Sequence, residues 1–458
     1  MSTSPIPAAT FTGVSTYSSD FQQVLTRAVA IASLPLQQLQ NQETTLTQQE
    51  STLGGLQSAF GSLQSAIQGL GSAQAAMSAT VSDTSTVSAS ASSSALPGAY
   101  SIQVTNLGSS TTTLSNAGTP PVTDPTSQNI SSSSSFTLAI NGTNNTITPS
   151  GSSLQALASA INSAGLPVQA TIVNVGSNTS PDYRLSIVSN NLAADTIQLS
   201  VGTNNLLTTL STGAAATYQV DGLSTPIQSN SRQVTLSPGL TVNMLQTNVG
   251  KWDTITVAPN TNSLSSGLSN FVTAYNAAVD GVNQQHGQNA GPLAGSSLIT
   301  SLGQALQSVS LYSSSSGSVS SLADLGLSLD ATSGHLSFDP TQLSNLNPAA
   351  IQQFLGSSTS GFLAAAGNAM TSVADSSSGL IQSNVTQVQT EITNENTLIA
   401  QQQNQINTVQ TNMEQQLSAA DAAIAVLQQQ VTMMSELFQA QYGSTSNNST
   451  GGSSAPGA

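Results

Sequence analysis

The 458-residue chain contains no cysteine, which excludes disulfides and thiolate metal sites. It is nearly as poor in cations. Arg27, Arg184, Arg232 and Lys251 are its four basic residues against 19 carboxylates, for a formal net charge of −15. Four scattered cations cannot follow a nucleic-acid backbone or hold an anionic membrane surface. Charged residues make up 5% of the chain, so its surface must be built from Ser, Thr, Asn and Gln. No run of apolar residues is long enough to cross a membrane. The N-terminal stretch MSTSPIPAATFTGVSTYSSDF lacks the basic region and apolar core of a Sec signal peptide. There is no nucleophile elbow, P-loop or H-E-x-x-H motif, and the acidic residues are dispersed. No enzyme activity, metal or cofactor is expected. His286 and His335 read as turn residues, and Trp252 as packing within a lobe.

What the chain does have is periodicity. Leu46, Leu53, Leu56, Phe60, Leu63, Ile67 and Leu70 follow the alternating steps of a coiled-coil seam. Residues 380–440 form a second long stretch, with a seam of Val385, Val388, Ile392, Ile399, Ile406, Val409 and Met413. After Met413 an extra step of four, a stutter, shifts the seam to Leu417, Ala420, Ile424, Leu427, Val431, Met434 and Phe438. Gln42, Gln49, Glu395 and Gln402 are polar seam positions, and the expectation is an antiparallel helix pair with these polar layers facing. A further helical face, with Phe21, Leu25 and Ile31, precedes Pro35. These three, together with Ile424, Leu427, Val431, Met434 and Phe438, lie beyond the tidy seam pair and are assigned to contacts with partners.

Between the two helical ends the texture is that of strands. FTLAINGTNNTIT (136–148) reads as a hairpin about Asn141-Gly142, and YQVDGLSTPI repeats the pattern about Asp221-Gly222. SLQALASAINSAG (153–165) reads as a short helix stopped by Gly165, and 322–339 as a hairpin. The fold class is therefore α+β: antiparallel terminal coiled-coil helices forming a leg, with an inserted antiparallel β-rich lobe of two subdomains. The expected divisions are 1–38 as a disordered or helical N-terminal segment for contacts with partners, and 39–80 with 264–440 as the leg. Residues 81–130 with 214–263 form the first β subdomain, 131–213 the second, and 441–458 a disordered tail.

Several blocks resemble the flagellar hook-associated protein 2 family, the filament cap. They are PLQQLQNQETTLTQQESTLGGLQSAFGSLQSAI (35–67), PGAYSIQVTNL (97–107), SLQALASAINSAGLPVQATIV (153–173), FVTAYNAAVDGVN (271–283), GPLAGSSLITSLGQAL (291–306) and LADLGLSLDATSGHLSFD (322–339). The block at 153–173 is similar to a module shared with flagellins and hook proteins. The chain departs from the family before Pro35-Leu36, where Ala-Ile-Ala-Ser-Leu stands in place of charged residues. The resemblance implies a secreted protein at the distal tip of the filament. There a ring of identical copies, expected to be a pentamer, retains flagellin and promotes its folding and polymerisation. The partners it implies are flagellin, the hook–filament junction proteins, further copies of the chain and an export chaperone, with export by the flagellar type III apparatus. Two other readings stay open: another axial flagellar protein, or a Ser/Thr-rich surface adhesin active in cell adhesion. Because composition offers the carboxylates few partners, stability is expected to change little between neutral and mildly acid pH.

Overall fold

The computed structural model describes residues 10–443, so the expectations for the first nine residues and for 444–458 fall outside the described residues. The helices are α1 (Ser18–Ala32), α2 (Leu34–Gln74), α3 (Leu154–Ser163), α4 (Thr261–Asn283), α5 (Ser297–Ser310), α6 (Pro348–Leu355), α7 (Gly361–Ala374) and α8 (Leu380–Gly443). Pro35 separates α1 from α2 because its ring is compatible only with the first turn of a helix. The chain forms two compact units: residues up to 68, 269–342 and from 353 onward, and residues 69–268 with 343–352.

In the first unit, the seam residues Leu53, Leu56, Phe60, Leu63 and Ile67 of α2 are buried. Their cover is α4 and α7. A side chain at Gly281 of α4 would press on Leu56, and Gln64 donates to Thr371 of α7 at 3.4 Å. An aromatic group closes the core: Phe271 and Phe362 meet edge-on at 5.7 Å, and Tyr312 lies against Phe354 and Phe362. Neither α6 nor α7 is announced by the apolar periodicity of the sequence. The hairpin of β17 (Leu327–Leu329) and β18 (Leu336–Phe338) is held to α4 by Asn276, which exchanges both hydrogen bonds with the Leu336 backbone at 2.8 Å. One turn on, His335 pairs with Asp280 at 2.8 Å.

The second unit is built from strands. They are β1 (Met77–Val81), β2 (Val87–Ala91), β3 (Gly98–Ser109), β4 (Thr112–Ser115), β5 (Phe136–Ile140), β6 (Thr143–Ile147), β7 (Val168–Asn174), β8 (Tyr183–Ser189), β9 (Ile197–Val201), β10 (Asn204–Asn205), β11 (Leu207–Ser211), β12 (Ala214–Val220), β13 (Ile227–Ser229), β14 (Gln233–Ser237), β15 (Leu240–Met244) and β16 (Asp253–Pro259). Sheets β1-β16-β3-β12-β13 and β14-β15-β2 enclose one core, with Ile102, Val104, Leu240, Val242 and Ile255 fully buried. Asp253 anchors this core by accepting from Thr86, and from Asn248 at 2.6 Å, and Asn248 in turn accepts from the Val104 amide. Sheets β10-β9-β5-β6 and β11-β4-β8-β7, with α3, enclose a second core that includes Leu138, Ile161 and Ile187. Asn141 and Gly142 take positive φ values of 49° and 80°, as a two-residue hairpin turn requires.

Two readings are corrected in this unit. β4 and Val122, which fall within 81–130, belong to the second core, because β4 pairs with β11 and β8. Trp252 is 41% exposed rather than packed.

α3 covers the open edge of its sheet. Asn162 donates to the Ala170 carbonyl and accepts from the Ala170 amide, both at 2.8 Å. The unpaired backbone of edge strand β7 is thereby satisfied by a side chain. Asn162→Ala should destabilise this unit by about 1–3 kcal/mol, read as a lowered denaturation midpoint. An unchanged midpoint would show that the pair contributes nothing.

The carboxylates do have partners, against the reasoning from composition. Ser and Thr supply them, in turns. The Ser378 and Ser377 amides hold the Asp375 carboxyl below its usual range, those of Ser333 and Thr332 do so for Asp330, and the Thr341 hydroxyl does so for Asp339. A depressed folded-state pKa gives stability that is complete above the unfolded value near 3.8 and is lost as pH falls below it. The melting temperature should therefore be level between about pH 7 and about pH 5 and fall only below about pH 4. A scan that falls already at about pH 5.5 would contradict this source of acid sensitivity.

Candidate interaction surface of the terminal helices

α1 and the first half of α2 lie antiparallel to α8. Leu36 with Ile399 and Ile406 forms a small buried cluster, flanked by Val29, Ala32 and Leu39. Gln402 donates to the Ala32 carbonyl at 3.4 Å, and Gln389 to Glu50 at 2.8 Å. The polar layers differ from the expected ones. Gln42 and Glu395 line a common cleft, but Gln49 donates to the Pro292 carbonyl at 3.1 Å and Gln402 to Ala32. An antiparallel pair that sets Gln42 against Glu395 cannot also set Gln49 against Gln402.

Along α8, Val388, Ile399 and Ile406 are buried, and Val385, Ile392 and Met413 partly so. Val409 is exposed. The inward stripe runs Ile406, Gln410, Met413, Leu417, Asp421, Ile424 and Gln428. Its mean step is close to 3.6, the period of a straight helix, so extra steps of four fall after Ile406 and after Leu417, and not after Met413. The shift turns Asp421 inward in place of Ala420, and Leu427 outward. Leu427, Val431, Met434 and Phe438 are exposed, Val431 at 67%, and Val426, Met433 and Leu437 widen this face. Ile424 is half-buried. On α1, Leu25 is fully buried and Phe21 packs edge-on to Phe11 at 5.9 Å. Both are internal contacts, and of the three residues assigned outward only Ile31, 68% exposed, faces solvent. The outer face of α1 is Val24, Arg27 and Ile31. In the remaining seam, Leu46 is half-buried at the cleft and Leu70 is buried within the second unit.

Periodicity gave no sign of the contact that fixes the N-terminal arm. The Asp421 carboxylate accepts from the Val14 amide at 2.6 Å, from the Ser15 amide at 3.2 Å and from the Ser15 hydroxyl at 2.5 Å. The Ser15 hydroxyl and these amides hold its pKa below the usual range. Gln428 adds a bond to the Thr16 hydroxyl at 2.5 Å. Gly13 is required by close approach, since a Cβ there would stand 2.6 Å from Asp421. The recognisable signal is an aspartate on the inward stripe of a chain with almost no cations to pair with it.

The chain's matches to known proteins fall on these same elements. The model of the flagellar hook-associated protein 2 N-terminus matches residues 18–111, and that of its C-terminus matches 213–429, together more than half of the chain. The chain belongs to the flagellar hook-associated protein 2 family. A flagellin hook IN motif matches 135–191, the segment in which Ile161 is buried and Asn162 clamps β7. Flagellar hook-associated protein 2 of Escherichia coli (strain K12) is 27% identical over 297 residues, 58% of this chain and 62% of that protein. Its Salmonella typhimurium counterpart is 27% identical over 233 residues, 44% and 48% of the two chains. The matched part of the chain thus spans less than two thirds of these relatives. The crystal structure of the Escherichia coli flagellar cap protein, domains D1-D2-D3, superposes with a TM-score of 0.58 at 26% identity, covering 73% of this chain and 99% of that one. The α+β architecture with a helical leg is that of this relative.

If Asp421 holds the arm, Asp421→Ala and Gly13→Ala should each raise deuterium uptake across residues 13–17 while leaving α2 protected. Uptake unchanged in both variants would show that the arm is held by other contacts.

Proposed function

We propose that this chain caps the growing flagellar filament. Copies assemble at the distal tip, retain exported flagellin and promote its polymerisation, and the terminal helices make the contacts with the filament. The observation that carries the reading is family membership combined with an exposed apolar face at the end of α8. That face stands beyond the part of α8 paired with α1 and α2, and an exposed contiguous apolar patch marks a site of protein association. The scarcity of charge suits a contact that must release and re-form at each addition, since no strong ion pair has to be broken. A ring of five copies, contacts with the junction proteins, a dedicated export chaperone and type III export belong to the same reading.

Deletion of the gene should leave hooks without filaments and abundant flagellin in the medium. Complementation with Val431→Asp, Met434→Asp and Leu437→Asp combined should restore export of the protein but not filament growth. Normal filaments in the deletion strain would overturn the cap reading. Filaments that form but detach at the hook would assign the chain to the junction instead.

A further inference from the structure

Arg27 is the only Lys or Arg in the first unit. Arg184 pairs with Asp182 at 2.6 Å, and Arg232 donates to the Leu107 carbonyl at 3.0 Å, but Arg27 has no hydrogen bond or ion pair among the described residues. Residues 1–9 and 444–458 contain no Asp or Glu, so they bring it no carboxylate side chain. Arg27 stands on the outer face of α1, one turn after Val24, 51% exposed, and one turn before Ile31. An arginine between exposed aliphatic side chains has the composition of an interface centre rather than of a solvated surface.

The same unit holds the complementary feature. Between α2 and α8 lies a cleft of about 610 Å³ lined by Gln38, Asn41, Gln42, Leu46, Glu391 and Glu395. Oε1 of Glu395, one of these lining residues, is buried with no hydrogen-bond donor among the described residues. A buried carboxylate oxygen without a donor is costly, and a guanidinium offers five donors in a planar fork that fits it. The amide oxygens of Gln38, Asn41 and Gln42 can accept the remaining N–H groups, and the half-buried Leu46 and the exposed Leu398 supply apolar surface for Val24 and Ile31.

The two features cannot meet within one molecule. Ser15 lies against Asp421 and Ala32 against Gln402, which puts Arg27 beside residues near 407. That is about a dozen helical residues, roughly 18 Å, from Glu395, well beyond the reach of an arginine side chain. We propose that the outer face of α1 in one copy docks in the α2–α8 cleft of the next, with Arg27 bound to Glu395. The contact is head-to-tail: each copy presents one face and receives the other, so it repeats around an assembly. It rests on the reading that copies of this chain assemble.

The test is charge reversal on the full chain, with association measured by sedimentation at low salt. Arg27→Glu places a carboxylate against Glu395, and Glu395→Arg places a guanidinium against Arg27. Each variant alone should associate at least about tenfold more weakly than the wild type. Both substitutions in one chain, Arg27→Glu with Glu395→Arg, should recover association to within about threefold, because every head-to-tail contact is then again between opposite charges whatever the number of copies. Misfolding cannot produce that recovery, and circular dichroism of each variant checks the helices directly. Either single variant assembling like the wild type, or a double variant as weak as the single ones, overturns this contact while leaving assembly intact. A wild-type chain that stays monomeric throughout overturns the assembly reading and this contact with it.

Discussion

The antiparallel contact of Leu36 and Leu39 with Ile399 and Ile406 is the constraint on which the helical unit depends. It joins segments more than 360 residues apart in sequence and fixes the register of α8 against α1 and α2. Once that register is set, Gln402 meets the Ala32 carbonyl, Asp421 meets the arm at Val14 and Ser15, and Gln42 and Glu395 share a cleft. A slip of one heptad would align Gln49 with Glu395 but separate Asp421 from the Val14 and Ser15 donors that satisfy it. The selection rests on hydrogen-bond geometry as much as on apolar fit, because a nearly uncharged seam has no flanking ion pairs to choose its partner.

The path of the inward stripe along α8 follows from the same pattern. A strict heptad would wind the helix around its neighbour and keep Val409, Ala420 and Leu427 inward. The added steps at Ile406–Gln410 and Leu417–Asp421 restore the period of an unsupercoiled helix. Beyond Gln428 the stripe stops being buried, and the apolar residues that follow turn to solvent. The exposed end therefore arises from where the α1 partner ends as well as from the α8 sequence itself.

Much of this was legible in the sequence, for identifiable reasons. The hairpin at Asn141-Gly142, the helix at Leu154–Ser163 and the inward face of α2 are set by local periodicity and turn chemistry, and they stand where those rules place them. The assignments that changed are those in which a distant segment decides. Val409 and Leu427 turn outward because Asp421 is bound to residues some 400 positions away. Leu25 is buried because α8 covers that side of α1, leaving Val24 and Arg27 outside. β4 joins the second core because its partners, β8 and β11, are distant in the chain. α6 and α7 are short, α7 is rich in Ala and Gly, and their apolar spacing is too brief to announce a helix without the aromatic core they cover.

The lack of cations explains why serine and threonine dominate the polar contacts. A carboxylate in such a chain can be stabilised only by N–H and O–H donors, and the turns at Asp83, Asp324, Asp330, Asp339 and Asp375 all use nearby Ser or Thr residues. Those bonds are local, short-ranged and little affected by salt, whereas ion pairs at the surface are screened. Asp421 follows the same rule over a long sequence distance, and its donors come from the arm it holds. Arg27 is the one Lys or Arg of the helical unit, a cation with no carboxylate partner among the described residues, kept on an exposed face beside aliphatic side chains. A cation left without an internal partner, set between exposed aliphatic side chains, points outward, toward a contact with another molecule.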